Sequence, residues 1–565
     1  MSSNIFYTGI KKSKTGKDVP VLANGRTFFS EYNPERDIQF YAAAPSVKDS
    51  GFILVGGLGD GSHIQALLEE NPTAFLMVLE RNRETIDYLF SEGICNADLK
   101  TNPRILFTML ETLGTDLKNA YIPVLHGTFL YHPIKAWQLA YEQLACQTSG
   151  GGSSLKDVIN DTLHDIAADY ATQARFGKLM HTNILKNLEL FSKATSKQTP
   201  ASTVSTDLRD KLLYEEDIHT LAAQNADKEA AIIGAGPSLD ESMPILKQNR
   251  TRFFIISTDT AYRTLYRNGI NADMVVTLDG QNASIAHFMG IDSSETIVAA
   301  DICANAAATR HLIGKGHKLF FFTTGHPLGT LVNSWYKNNS KVSTIGISPH
   351  ETGATGTMPC AFQNETCAPL LPVYTAGCGT VLSAAADIAV KAGFSSIRFF
   401  GADFAYKSGK PYTRGTYLDD TFLSNCSRLV PEETSFSKLC YRTELTKAGE
   451  GYTTPLLSSY KNDLISYIAS NKASFSFCTT GSNLPEYKAR AFEKQASKIS
   501  VLKKPRPFFD YEKFISFFLE GLKNNDKSLL FSILPYATWI KEKKKNADIE
   551  DIFTKTVEIT TFRRS

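Results

Sequence analysis

Ala231-Ile232-Ile233-Gly234-Ala235-Gly236-Pro237-Ser238-Leu239-Asp240 is the stretch on which the fold of this chain turns. Three apolar residues without alternation predict a strand buried on both faces, and the glycines after them predict a tight turn. Gly234 and Gly236 permit positive φ and a close backbone approach. Pro237 suits the first turn of a helix, where its missing N–H goes unneeded, and Ser238 can offer a hydroxyl to an anion favoured by the helix dipole. Strand, glycine turn and helix in that order predict the head of a nucleotide-binding α/β domain.

The pattern continues downstream. Apolar runs at Phe253 to Ser257, Met274 to Leu278, Thr296 to Ala299, Leu319 to Thr323 and Ile397 to Phe400 predict further strands of one parallel sheet. Upstream, Phe52 to Val55, Ile64 to Leu68 and Ala74 to Leu79 alternate as strand, helix and strand, a βαβ pattern. At 565 residues the chain exceeds the roughly 250 to 300 over which one core grows. The fold class is therefore α/β: a Rossmann-like domain at 1–150, a helical linker region at 151–205, a central Rossmann-like domain at 206–490 and a helical C-terminal domain at 491–565. The linkers are marked by Gly150-Gly151-Gly152-Ser153-Ser154 and by the polar stretch Lys193 to Thr203. Val158 to Leu190, between them, keeps helical spacing and predicts one or two amphipathic helices.

Sixty Lys and Arg against 58 Asp and Glu leave a net charge of +2, which excludes a surface given over to nucleic acid. Nine cysteines without CxxC or CxH spacing predict reduced, mostly buried thiols and no zinc site. The first eighteen residues lack the apolar core of a signal peptide, and no run approaches a membrane span, so the cytoplasm is the expected compartment.

Chemistry gathers where the predicted strands end. Asp259 and Asp279 follow two of them, where carboxylates can meet ribose or sugar hydroxyls or a bound Mg²⁺. The segment Phe399-Phe400-Gly401-Ala402-Asp403-Phe404-Ala405-Tyr406 leads directly to Lys410 and Arg414, placing an acid, a phenol and two cations at one strand's edge. Lys410 and Arg414 suit a phosphate or carboxylate, and Asp403 suits a base. A second glycine turn, Gly377-Cys378-Gly379-Thr380, opens a small-residue helix, and His326 stands just past a predicted strand. The catalytic candidates are thus Asp403, Tyr406 and His326, with Asp279 also open as a base. The binding candidates are Gly234, Gly236, Pro237, Ser238, Asp259, Asp279, Gly377, Thr380, Lys410 and Arg414. His350 lies in a loop-like stretch. Near the N-terminus, Gly56-Gly57-Leu58-Gly59-Asp60-Gly61-Ser62 with Glu80 resembles the opening of an S-adenosylmethionine-dependent methyltransferase, but the preferred reading is a tight scaffold turn. Walker A, GxSxG, HExxH and kinase motifs are absent.

The stretches 231–240, 273–279, 375–381 and 399–416 together resemble the central domain of the motility-associated factor (Maf) flagellin glycosyltransferases. Thr182-Asn183-Ile184-Leu185-Lys186-Asn187-Leu188, Thr453 to Lys461 and Cys478 to Ser482 add to the likeness. The resemblance implies a sialyltransferase-like domain that takes a nonulosonic acid, pseudaminic or legionaminic in kind, from its CMP-activated form and adds it to Ser or Thr of flagellin before export, in support of motility. It also implies that the Gly234 turn holds the CMP end of the donor, with Lys410 or Arg414 on the sugar carboxylate. This chain has Ala376-Gly377-Cys378-Gly379-Thr380-Val381 where the family commonly has Gly-Gly-Ser-Val, and Gly401-Ala402-Asp403 where it has Gly-Gln-Asp. The same kind of domain also suits an ATP-dependent pterin pyrophosphokinase, and a non-catalytic flagellin-binding protein is a third reading.

Overall fold

The computed structural model of the chain describes residues 6–148, 154–195, 210–339, 369–376, 380–478 and 508–562. Two compact units emerge: one runs to Phe176 and includes Ala537–Asn546, the other runs from Gly177 to Tyr536 and resumes at Ala547.

In the first unit, β1 (Tyr7–Lys12) and β2 (Asp18–Leu22) form an antiparallel hairpin. The expected βαβ pattern is present as β3 (Phe52–Gly56), the helix Ser62–Glu70 and β4 (Phe75–Glu80). Two strands not foreseen, β5 (Ile105–Met109) and β6 (Phe129–Pro133), complete a parallel sheet of order β5-β4-β3-β6. The reason they escape notice is physical: neither is a continuous buried run, since β5 buries one residue and β6 is half-buried throughout.

The second unit is built on β7 (Leu212–Leu213), β8 (Glu229–Ile233), β9 (Phe253–Thr258), β10 (Met274–Thr277), β11 (Ile297–Asp301), β12 (Leu319–Phe322) and β13 (Ser396–Phe400). A small antiparallel sheet follows, β14 (Tyr406–Lys407), β15 (Thr446–Ala448) and β16 (Gly451–Thr453), and then β17 (Ser474–Cys478). The main sheet has eight parallel strands in the order β17-β13-β8-β9-β10-β11-β12-β7. β9 to β12 are buried throughout, as their unbroken apolar runs predict. β17, Ser-Phe-Ser-Phe-Cys, alternates instead and forms the edge.

A single helix, Leu155–Thr195, spans the predicted helical region, its part up to Phe176 belonging to the first unit. Residues 508–562, expected within a module of their own, are shared between the units: the helices Tyr511–Lys523 and Ile549–Phe562 belong to the second and Ala537–Asn546 to the first. Both expected linkers lie largely outside the described residues. Among the described cysteines, Cys95, Cys303 and Cys440 are buried free thiols, whereas Cys426 is exposed.

The structure gives the Thr182–Leu188 stretch a physical purpose. Asn183 donates to the carbonyls of Gly280 (2.9 Å) and Cys303 (3.1 Å), and Asn187 donates to those of Ile302 and Ala304 (2.9 Å each). The Thr309 hydroxyl donates back to the Asn187 side-chain oxygen at 2.7 Å. Both asparagines are buried, so they clamp the loops after β10 and β11 to the helix at the edge where the candidate residues lie. Asn187→Ala removes the side-chain donor to two buried carbonyls, while the Thr309 hydroxyl keeps the Ala306 carbonyl. It should destabilise the second unit by roughly 2 to 4 kcal/mol, measured by urea denaturation; a loss under about 0.5 kcal/mol would show the clamp to be idle.

Candidate functional site

β8 is the point where strand order reverses. The chain runs from β8 through β9, β10, β11 and β12 to one side and returns to place β13 on the other. In open α/β sheets the ligand crevice lies beyond the carboxyl ends of the strands at such a point. Here it is flanked by the turn after β8 and the turn after β13.

These two turns are bonded to each other. Gly234 N–H donates to the Phe400 carbonyl and Gly236 N–H to the Gly401 carbonyl, both at 2.8 Å. A Cβ on either Gly234 or Gly236 would stand 2.6 Å from the Gly401 oxygen, so close approach demands both glycines. The expected positive φ falls instead on Gly401, at 62°. Asp403 then turns back, and its Oδ2 accepts the Ser238 N–H at 2.7 Å, at the start of the helix Leu239–Gln248. A carboxylate of the chain itself therefore meets a helix N-terminus that the sequence offers to a phosphate. Pro237 lies just before this helix, and the Ser238 side chain is buried. Burial raises the Asp403 carboxyl above its ordinary value, while the Ser238 contacts and Lys407 pull it down.

Along the same edge, each of β9, β10 and β11 is followed by or ends on an aspartate. Asp259 is buried and accepts from the Thr277 hydroxyl (2.8 Å) and the Thr260 N–H (2.7 Å). Asp301, which sequence reasoning passed over, is fully engaged by the Cys303 N–H and by the N–H and hydroxyl of Thr324. Asp279 is different. It is half-buried, and one oxygen accepts the Gln281 N–H at 2.8 Å. Burial raises its carboxyl, the Asp259 charge raises it further, and His287 acts the other way.

The segment after β14 crosses over this edge. The Thr413 N–H donates to the Ala235 carbonyl at 2.9 Å, and the Thr264 hydroxyl donates to the Arg414 carbonyl at 3.0 Å. Tyr412 is thereby set near Tyr406, Tyr417 and Asp259; burial pushes its phenol up to about 12. Tyr417 feels both Asp279 and Asp259, and its ring meets His287 edge-on at 4.5 Å between centroids. The hydroxyls of Tyr406, Tyr412 and Tyr417 make no hydrogen bond among the described residues. Sequence reading gave Tyr412, Tyr417 and His287 no role, although two tyrosines five residues apart in a Gly- and Thr-rich loop are a signal of surface recognition.

The cations are largely engaged. Lys407 pairs with Glu241 at 3.2 Å and Lys410 lies 3.8 Å from Asp240. Arg414 lines an open cavity of about 630 Å³ with Asp240, Lys247 and Asn268. Thr380 caps the helix Val381–Ala392 by accepting the Leu382 N–H, and Leu382 packs 3.2 Å from where a Cβ on Gly234 would be. Gly377 and His350 lie outside the described residues. His326 follows β12, five strands from β13, which at ~4.8 Å per strand is on the order of 24 Å from Asp403. Its Nδ1 accepts the Leu328 N–H, and burial pushes it down to about 4, so it is neutral at pH 7. Asp403, Tyr406, Asp259 and Asp279 thus share one edge, and His326 is remote from Asp403.

Residues 210–409, from just before β7 to just after β14, match a family described as 6-hydroxymethylpterin diphosphokinase MptE-like. An uncharacterized protein of Treponema pallidum (strain Nichols) is 29% identical over 262 residues, 46% of this chain and 72% of its own length. A second from that organism is 25% identical over 177 residues, 31% of this chain and 70% of its own. A third is 24% identical over 351 residues, 61% of this chain and 54% of its own. Among solved structures, one described as a MAf glycosyltransferase from Magnetospirillum magneticum AMB-1 aligns with 98% of this chain and 85% of its own, at 13% identity and a TM-score of 0.48.

The raised carboxyls of Asp279 and Asp403 have a measurable sign. Burial disfavours their charged forms, so their contribution to stability is full below the ordinary carboxyl value of about 4 and is lost as pH rises through the raised one. Asparagine keeps the shape and does not titrate. Asp279→Asn and Asp403→Asn should each gain in melting temperature relative to the wild type between pH 4 and pH 7, reaching about 1 to 2 °C. A constant difference across that range in a calorimetric series contradicts the assignment.

Proposed function

We propose that the second unit is a glycosyltransferase, and more narrowly that it moves a nonulosonic acid from a CMP-activated donor onto Ser or Thr hydroxyls of flagellin. One observation carries this reading: at this edge Asp279, a carboxyl raised by burial, lies beside Tyr417, whose phenol, like those of Tyr406 and Tyr412, hydrogen-bonds to nothing among the described residues. Free phenols and carboxylates suit a ligand rich in hydroxyls, and a carboxyl raised above its usual value suits removal of a hydroxyl proton near neutral pH. The resemblance at 231–240 and 399–416 supports the same class.

In this reading the acceptor oxygen attacks the anomeric carbon of the donor, the bond from that carbon to the CMP phosphate breaks, and CMP leaves with the bonding pair. Asp279 takes the acceptor proton. Asp403 orders the turn Gly234, Gly236, Pro237 and Ser238 through the Ser238 N–H, and Tyr406 and Tyr412 hold hydroxyls of the donor. Arg414, whose guanidinium forms no ion pair among the described residues, is the better partner for the sugar carboxylate than Lys410.

A second reading has its own support. The match of 210–409 to the MptE-like family favours ATP-dependent diphosphoryl transfer to a hydroxymethyl pterin, in which Asp259 and Asp279 would hold the Mg²⁺ of the nucleotide. A binding panel of CMP, CDP and ATP with Mg²⁺ separates the two. The transferase reading expects CMP and CDP to raise the melting temperature; stabilisation by ATP with Mg²⁺ alone overturns it. In cells carrying Asp279→Asn, intact-mass measurement of flagellin should show the glycan mass gone with protein levels unchanged, and a full glycan mass contradicts the role given to Asp279.

A further inference from the structure

The glycine turn of the first unit has every mark of a cofactor site, and each of its ligand positions is taken by the chain itself. Glu80, at the end of β4 where such domains keep an acid for a ribose hydroxyl, is fully buried. Its Oε1 accepts the Tyr7 hydroxyl and the Leu58 N–H, both at 2.7 Å, and its Oε2 accepts the Arg81 N–H (3.1 Å) and the Trp137 indole N–H (3.2 Å). Tyr7 in turn accepts the Gly59 N–H at 3.1 Å. A phenol on a short strand from the chain's beginning thus stands in the place of a sugar hydroxyl.

The rest of the turn is filled in the same way. The Phe28 ring lies against the glycines so closely that a Cβ on Gly57 or on Gly59 would come within 2.7 Å of its carbons. The indole of Trp137 lies close to Gly56 and Gly57. At the N-terminus of the helix Ser62–Glu70, the Ser62 N–H and hydroxyl donate to the Asp60 carboxylate, so the chain's own anion sits where a ligand's would. His63 is buried and its Nε2 is hydrogen-bonded to the Gly57 carbonyl at 3.0 Å. Tyr7, Phe28 and Trp137 are each at most 3% exposed. The glycines are needed here for their positive φ, 98° at Gly57 and 51° at Gly59, and because aromatic rings of this chain press on them, which are different reasons from ligand approach.

We propose that residues 6–31, which carry β1, β2 and Phe28, are the permanent ligand of this Rossmann-type cleft, so that the first unit takes no dinucleotide or S-adenosylmethionine cofactor and completes its fold with its own strap. The claim concerns the first unit and stands independently of the transfer proposed for the second.

Hydrogen exchange of the full chain, followed with and without millimolar S-adenosylmethionine or NAD, reads the geometry directly. The Leu58 and Gly59 amides should fall in the slowest-exchanging class and be unchanged by either cofactor. Tyr7→Phe, which removes the acceptor of the Gly59 N–H, should speed exchange at Gly59 at least tenfold with β4 still protected. Slower exchange across 57–62, or faster exchange across 6–31, on adding a cofactor to the wild type overturns the proposal. So does an unchanged Gly59 rate in a folded Tyr7→Phe protein. The wild-type arm decides the matter even if the variant does not fold.

Discussion

The hydrogen bond from the Ser238 N–H to the Asp403 carboxylate ties together the two turns that frame the candidate site. It exists because the strand after the reversal, β13, lies directly beside β8, so the loops leaving them must share the same few ångströms. Glycine at 234, 236 and 401 is what that crowding permits. The helix Leu239–Gln248 gains an anion at its N-terminus without recruiting one from solvent, an interaction of the kind that contributes about 1 kcal/mol. Asp403 is consequently held in place as well as partly buried, and burial lifts its carboxyl despite the amide it accepts.

That arrangement shapes the rest of the edge. With Asp403 occupying the helix N-terminus and with Lys407 and Lys410 beside Glu241 and Asp240, the charged groups around the Gly234 turn are mostly satisfied within the protein. What remains unsatisfied includes the buried Ser238 hydroxyl, one oxygen of Asp279 and the phenols of Tyr406, Tyr412 and Tyr417. The clamp formed by Asn183 and Asn187 fixes the loop that carries Asp279, and His287 packs its ring against Tyr417. The site is therefore richer in acids and phenols than in free cations. Both glycine turns in the chain accept carboxylates of their own, but at Gly57 aromatic rings fill the space as well, while Asp279 and its phenols stay partly open.

Much of this was legible in the sequence for an identifiable reason. β3, β4 and β8 to β13 were foreseen because a strand buried on both faces is a continuous apolar run, and β17 was not because Ser-Phe-Ser-Phe-Cys alternates at an edge. Asp259, Asp279 and Asp403 could be named because they follow such runs directly. Asp301 also follows one, and only three-dimensional contacts reveal that its carboxylate is consumed by Cys303 and Thr324. His326 shows the limit most clearly: its place after a strand was readable, but strand order, which sets its separation from Asp403, was not. Asn183 was visible only as part of a resemblance, since a side chain that clamps two loops about a hundred residues away leaves no local periodicity. The Tyr7 to Glu80 contact is hidden for the same reason, joining residues 73 apart.

The central claim is that the edge above β8, β9 and β10 of the second unit receives a sugar nucleotide. A crystal structure of the full chain with bound CMP tests it most directly. The cytidine phosphate is expected at that edge, with a ribose hydroxyl or phosphate oxygen within hydrogen-bond distance of Asp279, Tyr412 or Tyr417. Nucleotide found instead at the Gly57 turn of the first unit, or only in the open cavity beside Lys247 and Asn268, would contradict it.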